Sequence, residues 1–327
     1  MLTVHIGMGK CGTTTLQKLI FPKLEEMINI SYLSSISSFL GDCIHLSLTE
    51  KRLSLIKKMF SNYENILISS EGLIGPNSHF WEKQADENLR LFGKEARIII
   101  TLREPYQIMR SLYQQNVHMG SVIKAKNFFL NDEEYKSISK INNQSYLKYF
   151  NVDSFDYEKL YEIYKKRFRK VIIVPMSSIK KMNFLGDLFN LNYDQIEVLK
   201  DIYQKGPNLN ISYSKLSMDL TFLREKFLSY IGVRSIYEIE MKSESWLSYR
   251  DDELIFDMYL NSRNKKISFL KKLRLNFLNF LKWRFFIQKI LDKLPLISSK
   301  RYEIPKSIYL NERLLESNRK FLDKYKN

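Results

Sequence analysis

The sequence predicts an α/β fold, a parallel sheet flanked by helices, with a helical C-terminal part. Three observations carry the prediction. Short, uninterrupted apolar runs recur through the first half of the chain. Stretches of helical period separate them. The first apolar run ends in a glycine-bounded turn that opens a helix. Strands that are apolar on both faces belong to sheets covered by helices on both sides.

The elements follow in order. Leu2–Met8 is the first strand, and Thr14–Ile28 the first helix. Ile30–Leu33 reads as a short strand. Thr49–Tyr63 is amphipathic, with Leu53, Ile56 and Phe60 spaced for one helical face. Asn65–Ser69, "NILIS", is a buried-type strand, and Asp86–Phe92 a helix. Ala96–Leu102, "ARIIITL", is short and β-branched, the clearest strand of all. Tyr106–Val117 and Tyr157–Arg169 are helical, and Lys170–Met176, "KVIIVPM", is a further strand. The second half has few strand signals and is predicted helical. Neither repeats nor low-complexity linkers interrupt the chain. The nearest approach to a boundary is Leu260–Lys266, which suggests an α/β domain over 1–260, a basic helical segment over 261–300 and a helix over 301–327 that packs back on the domain.

Hydrophobic residues make up 44% and aromatics 13% of the 327 residues, enough for a sizeable core. Two cysteines, Cys11 and Cys43, cannot build a disulfide framework or a four-thiolate metal site. The first residues read as a strand rather than a leader, and no apolar run is long enough to span a bilayer, so a cytoplasmic protein is expected. The net charge of +16 is concentrated. Arg263 to Arg301 holds twelve Lys or Arg against one acid, Asp292, a charge of +11.

The opening "MLTVHIGMGKCGTTTLQKLIF" sets a glycine turn between a strand and a helix N-terminus. Free N–H groups and the positive dipole end there make an anion cradle. Gly9 and Gly12 permit the turn, Lys10 adds charge, Cys11 lies between them, and Thr13, Thr14 and Thr15 offer hydroxyls. The loop is therefore P-loop-like, but its order departs from a nucleotide triphosphatase. A Walker loop reads G-x-x-x-x-G-K-[ST], with the lysine after the glycine. From Gly7 this chain reads G-x-x-K-x-G-T-T, with the lysine ahead of it.

That order resembles the 5′-phosphosulfate loop of sulfotransferases that use 3′-phosphoadenylyl sulfate (PAPS), in particular bacterial carbohydrate-type members. A second stretch, "ARIIITLREPYQIMRSLYQ", continues the resemblance. It has Arg103 at a strand end, Pro105 two residues on and Ser111 eight residues after the arginine, where the family binds the donor's 3′-phosphate. A guanidinium suits bidentate phosphate binding, and a hydroxyl adds a contact. More weakly, "GPNLNISYSKLSMDL" is similar to an Asn-x-Ser stretch near the adenosine side, which would assign Asn210 and Ser212. A loop and a helix N-cap would explain those two residues as well. The closing "IPKSIYLNERLLESNRKFLDKY" resembles the last helix of such enzymes.

The resemblance implies an enzyme that moves a sulfuryl group to a hydroxyl, less readily an amine, of a carbohydrate or glycolipid acceptor, with no metal required. Lys10 would neutralise charge on the bridging oxygen, and a base must accept the acceptor's proton. Glu71, after the strand "NILISS", is the first candidate, with an N-cap or a salt bridge as its plain alternative. His45, in "GDCIHLS", is the second. His79 and His118 are remoter, and His5, inside the first strand, reads as core.

Ile267–Leu294 carries Leu270, Leu273, Phe277, Phe280, Leu281, Ile287 and Leu291 on one helical face and lysines mostly elsewhere. This is the pattern of a basic amphipathic helix on an anionic membrane surface. Packing of the same face on the domain or on a second copy of the chain, as in a homo-oligomer, stays open, as does an acidic-glycan groove. Two rival functions remain. A P-loop kinase or NTPase needs an acid at a strand end to hold magnesium, a place that Glu71 could imitate. A membrane-associated binding protein would rest on the basic helix alone. No nucleic-acid-binding signature accompanies the charge, and no D-x-D motif suggests a glycosyltransferase.

Overall fold

A computed structural model describes residues 1–34, 40, 48–75, 77–118, 120–138, 148–206, 213–232 and 301–326 of the chain. The expected basic segment, the 260/261 boundary, His45, Asn210 and Ser212 lie outside the described residues.

Strand β1 (Leu2–His5) leads into a loop and a helical run in three parts: α1 (Thr13–Thr15), a π-helical turn (Leu16–Ile20) and α2 (Phe21–Met27). The π turn was not expected from the sequence, and Pro22 accounts for it. Proline cannot donate to the carbonyl four residues back and clashes with it. Here the ladder re-registers, with the Phe21 N–H bonding the carbonyl of Leu16, five residues back. Next come β2 (Ser31–Tyr32), α3 (Glu50–Phe60) and β3 (Ile66–Ser69). Thr49 caps α3 by accepting from the Arg52 N–H.

Helix α4 (Trp81–Phe92) starts five residues before the expected Asp86. The cause is tertiary: Trp81 is fully buried, with its indole N–H on the Gly75 carbonyl at 3.2 Å. Strand β4 (Arg97–Leu102) feeds α5 (Pro105–His118), capped by the Glu104 carboxylate on the Gln107 N–H at 2.8 Å. A short excursion follows, α6 (Ala125–Phe128), β5 (Phe129–Leu130), α7 (Asp132–Lys136) and β6 (Phe150–Asn151), with β5 and β6 paired in parallel. The chain returns through α8 (Tyr157–Lys165) to β7 (Lys170–Pro175), then continues as α9 (Asn183–Phe189), α10 (Tyr193–Lys205), α11 (Lys215–Tyr230) and α12 (Glu312–Asp323).

The main sheet is wholly parallel, with order β2-β3-β1-β4-β7. Its alternation explains the continuous apolar runs. Ile66, Ile68, Ile98 and Ile100 enter one core cluster, while Leu67, Ile99 and Val174 enter the other with Leu16, Phe21, Leu185 and Leu199. Both faces are buried, so most positions are apolar, and among the polar exceptions His5 hydrogen-bonds to Ser69 and Thr101. The chain builds β2 and β3 on one side of β1 and then β4 and β7 on the other. Open α/β sheets place ligands in the crevice at such a switch, beyond the carboxyl ends of the strands. Helix α12 packs against α5 and α8. Its Asn318 accepts the Tyr157 N–H at 2.9 Å and donates to the Phe155 carbonyl at 2.7 Å. No helix of the described residues is long and apolar enough to cross a membrane.

Ile99 is fully buried between two neighbouring strands, whereas Leu223 on α11 is 64% exposed. Ile99→Ala is expected to cost about 2–5 kcal/mol in urea denaturation, and Leu223→Ala less than about 0.5 kcal/mol.

Candidate anion-binding crevice at the carboxyl ends of three strands

After His5 the chain still follows β4, with the Ile6 N–H on the Ile99 carbonyl at 2.9 Å and the Met8 N–H on the Thr101 carbonyl at 3.2 Å. Strand-like pairing thus continues to Met8, as the apolar run implied, although the strand proper ends at His5. Gly7 is where the loop presses on the sheet. A Cβ there would stand 1.9 Å from Thr101 Oγ1, 2.6 Å from Thr13 Cγ2 and 2.7 Å from His5 Nε2. Only glycine lets the backbone pass this close. The Cys11 N–H closes the turn on the Met8 carbonyl at 3.2 Å. Gly12 adopts the left-handed conformation (φ 82°) and points the chain into the helix. Lys10 does the same with a side chain present (φ 70°), a strained choice for a non-glycine residue.

Three parts predicted from distant stretches of sequence come together around this loop. Thr13, buried, donates its hydroxyl to Glu71 Oε1. Gly9 lies under the other carboxylate oxygen, since a Cβ there would come 3.3 Å from Glu71 Oε2. Arg103 reaches the loop from β4, with Nη1 on the Lys10 carbonyl at 3.3 Å. Its Nε is held by Gln107 Oε1 at 3.1 Å, and its own carbonyl accepts the Tyr157 hydroxyl at 2.7 Å. Thr14 and Thr15 are half-buried at the start of the helix. Cys11 is fully buried and burial pushes its thiol pKa up, so what it offers the crevice is backbone. Ser111 lies half-buried on α5 and makes no hydrogen bond with Arg103 or the loop.

Beside Arg103, a pocket of about 300 Å³ opens between the ends of β4 and β7 and helix α12. Gln107, Pro175, Met176, Arg319 and Leu322 line it with Arg103. It adjoins the loop, because Met176 Cγ lies 3.9 Å from a Cβ built on Gly12. Arg319 is anchored there by Glu104 at 3.0 Å. The remoter histidines are engaged elsewhere. His79 stacks on Tyr135 at 4.7 Å and meets Asn151 at 3.0 Å, and His118 Nδ1 meets the Tyr213 hydroxyl at 2.8 Å.

Sequence reasoning read His5 as a core residue, which it is, and passed over its partners beneath the loop, Ser69, Thr101 and Gln17. For His5, Ser69 and Thr101 the signal was a polar side chain in each of three largely apolar runs, two residues before Gly7, Glu71 and Arg103. No family model matches the chain, and the searches of curated proteins and of solved structures found no match.

Burial raises the Glu71 carboxyl pKa, and the neighbouring Lys10 charge works the other way. The folded chain therefore keeps this proton at pH values where the unfolded chain has lost it. Stability from this group falls as pH climbs from the ordinary carboxyl range through the raised value. Glu71→Gln is expected to gain stability over wild type on the alkaline side and to gain nothing on the acid side. Urea denaturation between about pH 4 and 8 reads the difference.

Proposed function

We propose that the chain is a PAPS-dependent sulfotransferase. One observation carries the reading: the loop built on Gly7–Thr15 and the Arg103 segment, the two stretches that resemble the donor-binding motifs, meet through the Arg103–Lys10 contact, with Glu71 on the loop's other flank. Under this reading the loop N–H groups and Lys10 take the 5′-phosphosulfate. Arg103 takes the 3′-phosphate, and the adjoining pocket is of a size to take part of the nucleoside. An acceptor oxygen attacks sulfur in line as the bond from sulfur to the bridging phosphate oxygen breaks. Charge spread over the transferring group is met by fixed dipoles and Lys10. The acceptor's proton passes to the Glu71 carboxylate, whose raised pKa makes it a stronger base than an exposed glutamate. Adenosine 3′,5′-bisphosphate leaves. The acceptor class follows from the resemblance: a hydroxyl, less readily an amine, of a carbohydrate or glycolipid.

A second reading is favoured by the Thr13–Glu71 contact, which joins a hydroxyl and an acid as a P-loop kinase or NTPase does around magnesium. Against it, Thr13 stands where that loop carries its lysine. Calorimetry with adenosine 3′,5′-bisphosphate against ATP, with and without magnesium, separates the two. Preference for magnesium-ATP overturns the sulfotransferase reading.

Arg103→Ala is expected to weaken bisphosphate binding about 10- to 100-fold, since a charge-assisted hydrogen bond contributes roughly 1.5–3 kcal/mol. Glu71→Gln keeps that affinity and lowers kcat by roughly 10²–10⁴ with labelled PAPS and a cell glycan and lipid extract. Unchanged affinity in a folded Arg103→Ala protein removes the 3′-phosphate assignment.

The basic stretch Ile267–Leu294 points to peripheral attachment on an anionic membrane, because each basic residue near such a surface contributes about 1 kcal/mol. Cosedimentation with anionic but not neutral vesicles is expected. Negligible binding to both assigns its apolar face to packing instead.

A further inference from the structure

Beneath the crevice, three side chains from three strands join in one buried chain of hydrogen bonds. His5 Nδ1 meets Ser69 Oγ at 2.7 Å, and His5 Nε2 meets Thr101 Oγ1 at 3.0 Å. Gln17, from the helical run that starts at the loop, donates to Ser69 Oγ at 3.0 Å and to the Ser69 carbonyl at 3.1 Å. His5, Ser69 and Thr101 are all fully buried. Each stands two residues before a part of the site: Gly7 of the loop, Glu71 and Arg103.

The proton order in this chain follows from its donors. The Gln17 amide gives its hydrogen to Ser69 Oγ, so the Ser69 hydroxyl needs an acceptor of its own. Among its described contacts, His5 Nδ1 supplies one. The ring is then neutral, with its hydrogen on Nε2 pointing at Thr101 Oγ1. Burial supports this, since it lowers the His5 pKa to about 3. A neutral ring at any working pH is a fixed spacer and takes no part in proton transfer. The ring is also held against Phe21, edge to face at 5.5 Å. The loop rests directly on it, because a Cβ on Gly7 would meet both His5 Nε2 and Thr101 Oγ1.

We propose that His5 is a positioning residue that, bonded between Ser69 and Thr101, sets the separations of the phosphate loop, Glu71 and Arg103. Backbone bonds follow β4 as far as Met8 and link Ser70 to His5, and the turn of the loop, Glu71 and Arg103 lie at or just past the last of them. A rigid ring carrying a fixed donor on one side and a fixed acceptor on the other holds those three ends at one spacing.

The inference rests on the proposed donor only where a ligand is used. Its test compares the intact wild-type chain with Ser69→Ala, which cuts the Glu71 arm, and Thr101→Val, which cuts the Arg103 arm. Amide hydrogen exchange is read over 7–13, 70–73, 103–108 and, as a control away from the three strand ends, 50–60 on α3. The expected result is faster exchange at 70–73 for Ser69→Ala and at 103–108 for Thr101→Val, with the control unchanged. Thr101→Val also lowers affinity for adenosine 3′,5′-bisphosphate at least tenfold. Ser69→Ala keeps that affinity and lowers kcat at least tenfold. Wild-type local exchange in both variants, or an equal rise that includes 50–60, assigns the network to general stability and overturns the inference. If the wild-type chain does not bind the bisphosphate, the donor reading fails and the exchange comparison still decides the role of His5.

Discussion

Strand β1 lies between β3 and β4 with both neighbours in parallel register, so its backbone groups are satisfied on both sides by strands far away in sequence. That pairing determines what can follow. Continued bonding of Ile6 and Met8 to β4 carries the chain past the strand end before it turns. The Ser70 N–H on the His5 carbonyl at 3.0 Å brings β3's exit to the same level. The loop, Glu71 and Arg103 are neighbours because three parallel strands end side by side. Parallel strands must be joined by crossovers, so residues that meet there come from well-separated segments.

The crevice gathers features that would be costly in an ordinary loop. Lys10 sits in a left-handed conformation that glycine would adopt without strain, at a cost of about 1–2 kcal/mol. Glu71 is a carboxylate drawn into low-dielectric surroundings, with its pKa raised. Arg103 donates to a backbone carbonyl of the loop while partly desolvated. The strained Lys10 backbone and the nearness of two cations, Lys10 and Arg103, are explained if the loop meets an anion. An anion would occupy the loop N–H groups and offset the clustered charge of Lys10 and Arg103. Strained backbone and perturbed carboxyls gather at functional sites for this reason.

Legibility in the sequence followed the range of the forces involved. "ARIIITL" announced β4 because a strand covered on both faces is apolar along most of its length, with Thr101 its one fully buried polar side chain. The Gly-x-x-Lys-x-Gly-Thr-Thr spacing announced the loop because turn geometry and helix opening are local matters. The π turn at Leu16–Ile20 was hidden, although its cause, Pro22, stood in plain view, because a proline inside a helical pattern can end it, kink it or shift its register, and the surrounding packing selects among these. The early start of α4 was hidden because Trp81 reaches a carbonyl that only the folded chain brings near.

By itself, then, the sequence determined the α/β class, the main-sheet strands, the glycine turn between a strand and a helix and the arginine at a strand end, all properties set by composition and spacing over a few residues. Only the tertiary structure decided the strand order, the meeting of Arg103 with the Lys10 carbonyl, the contact of Thr13 with Glu71, and the conversion of His5 from an oddly polar strand residue into the tie between three strand ends. Those depend on which strands lie side by side. Such pairing is decided by the burial of whole faces across the chain, to which each local stretch contributes without revealing its partner.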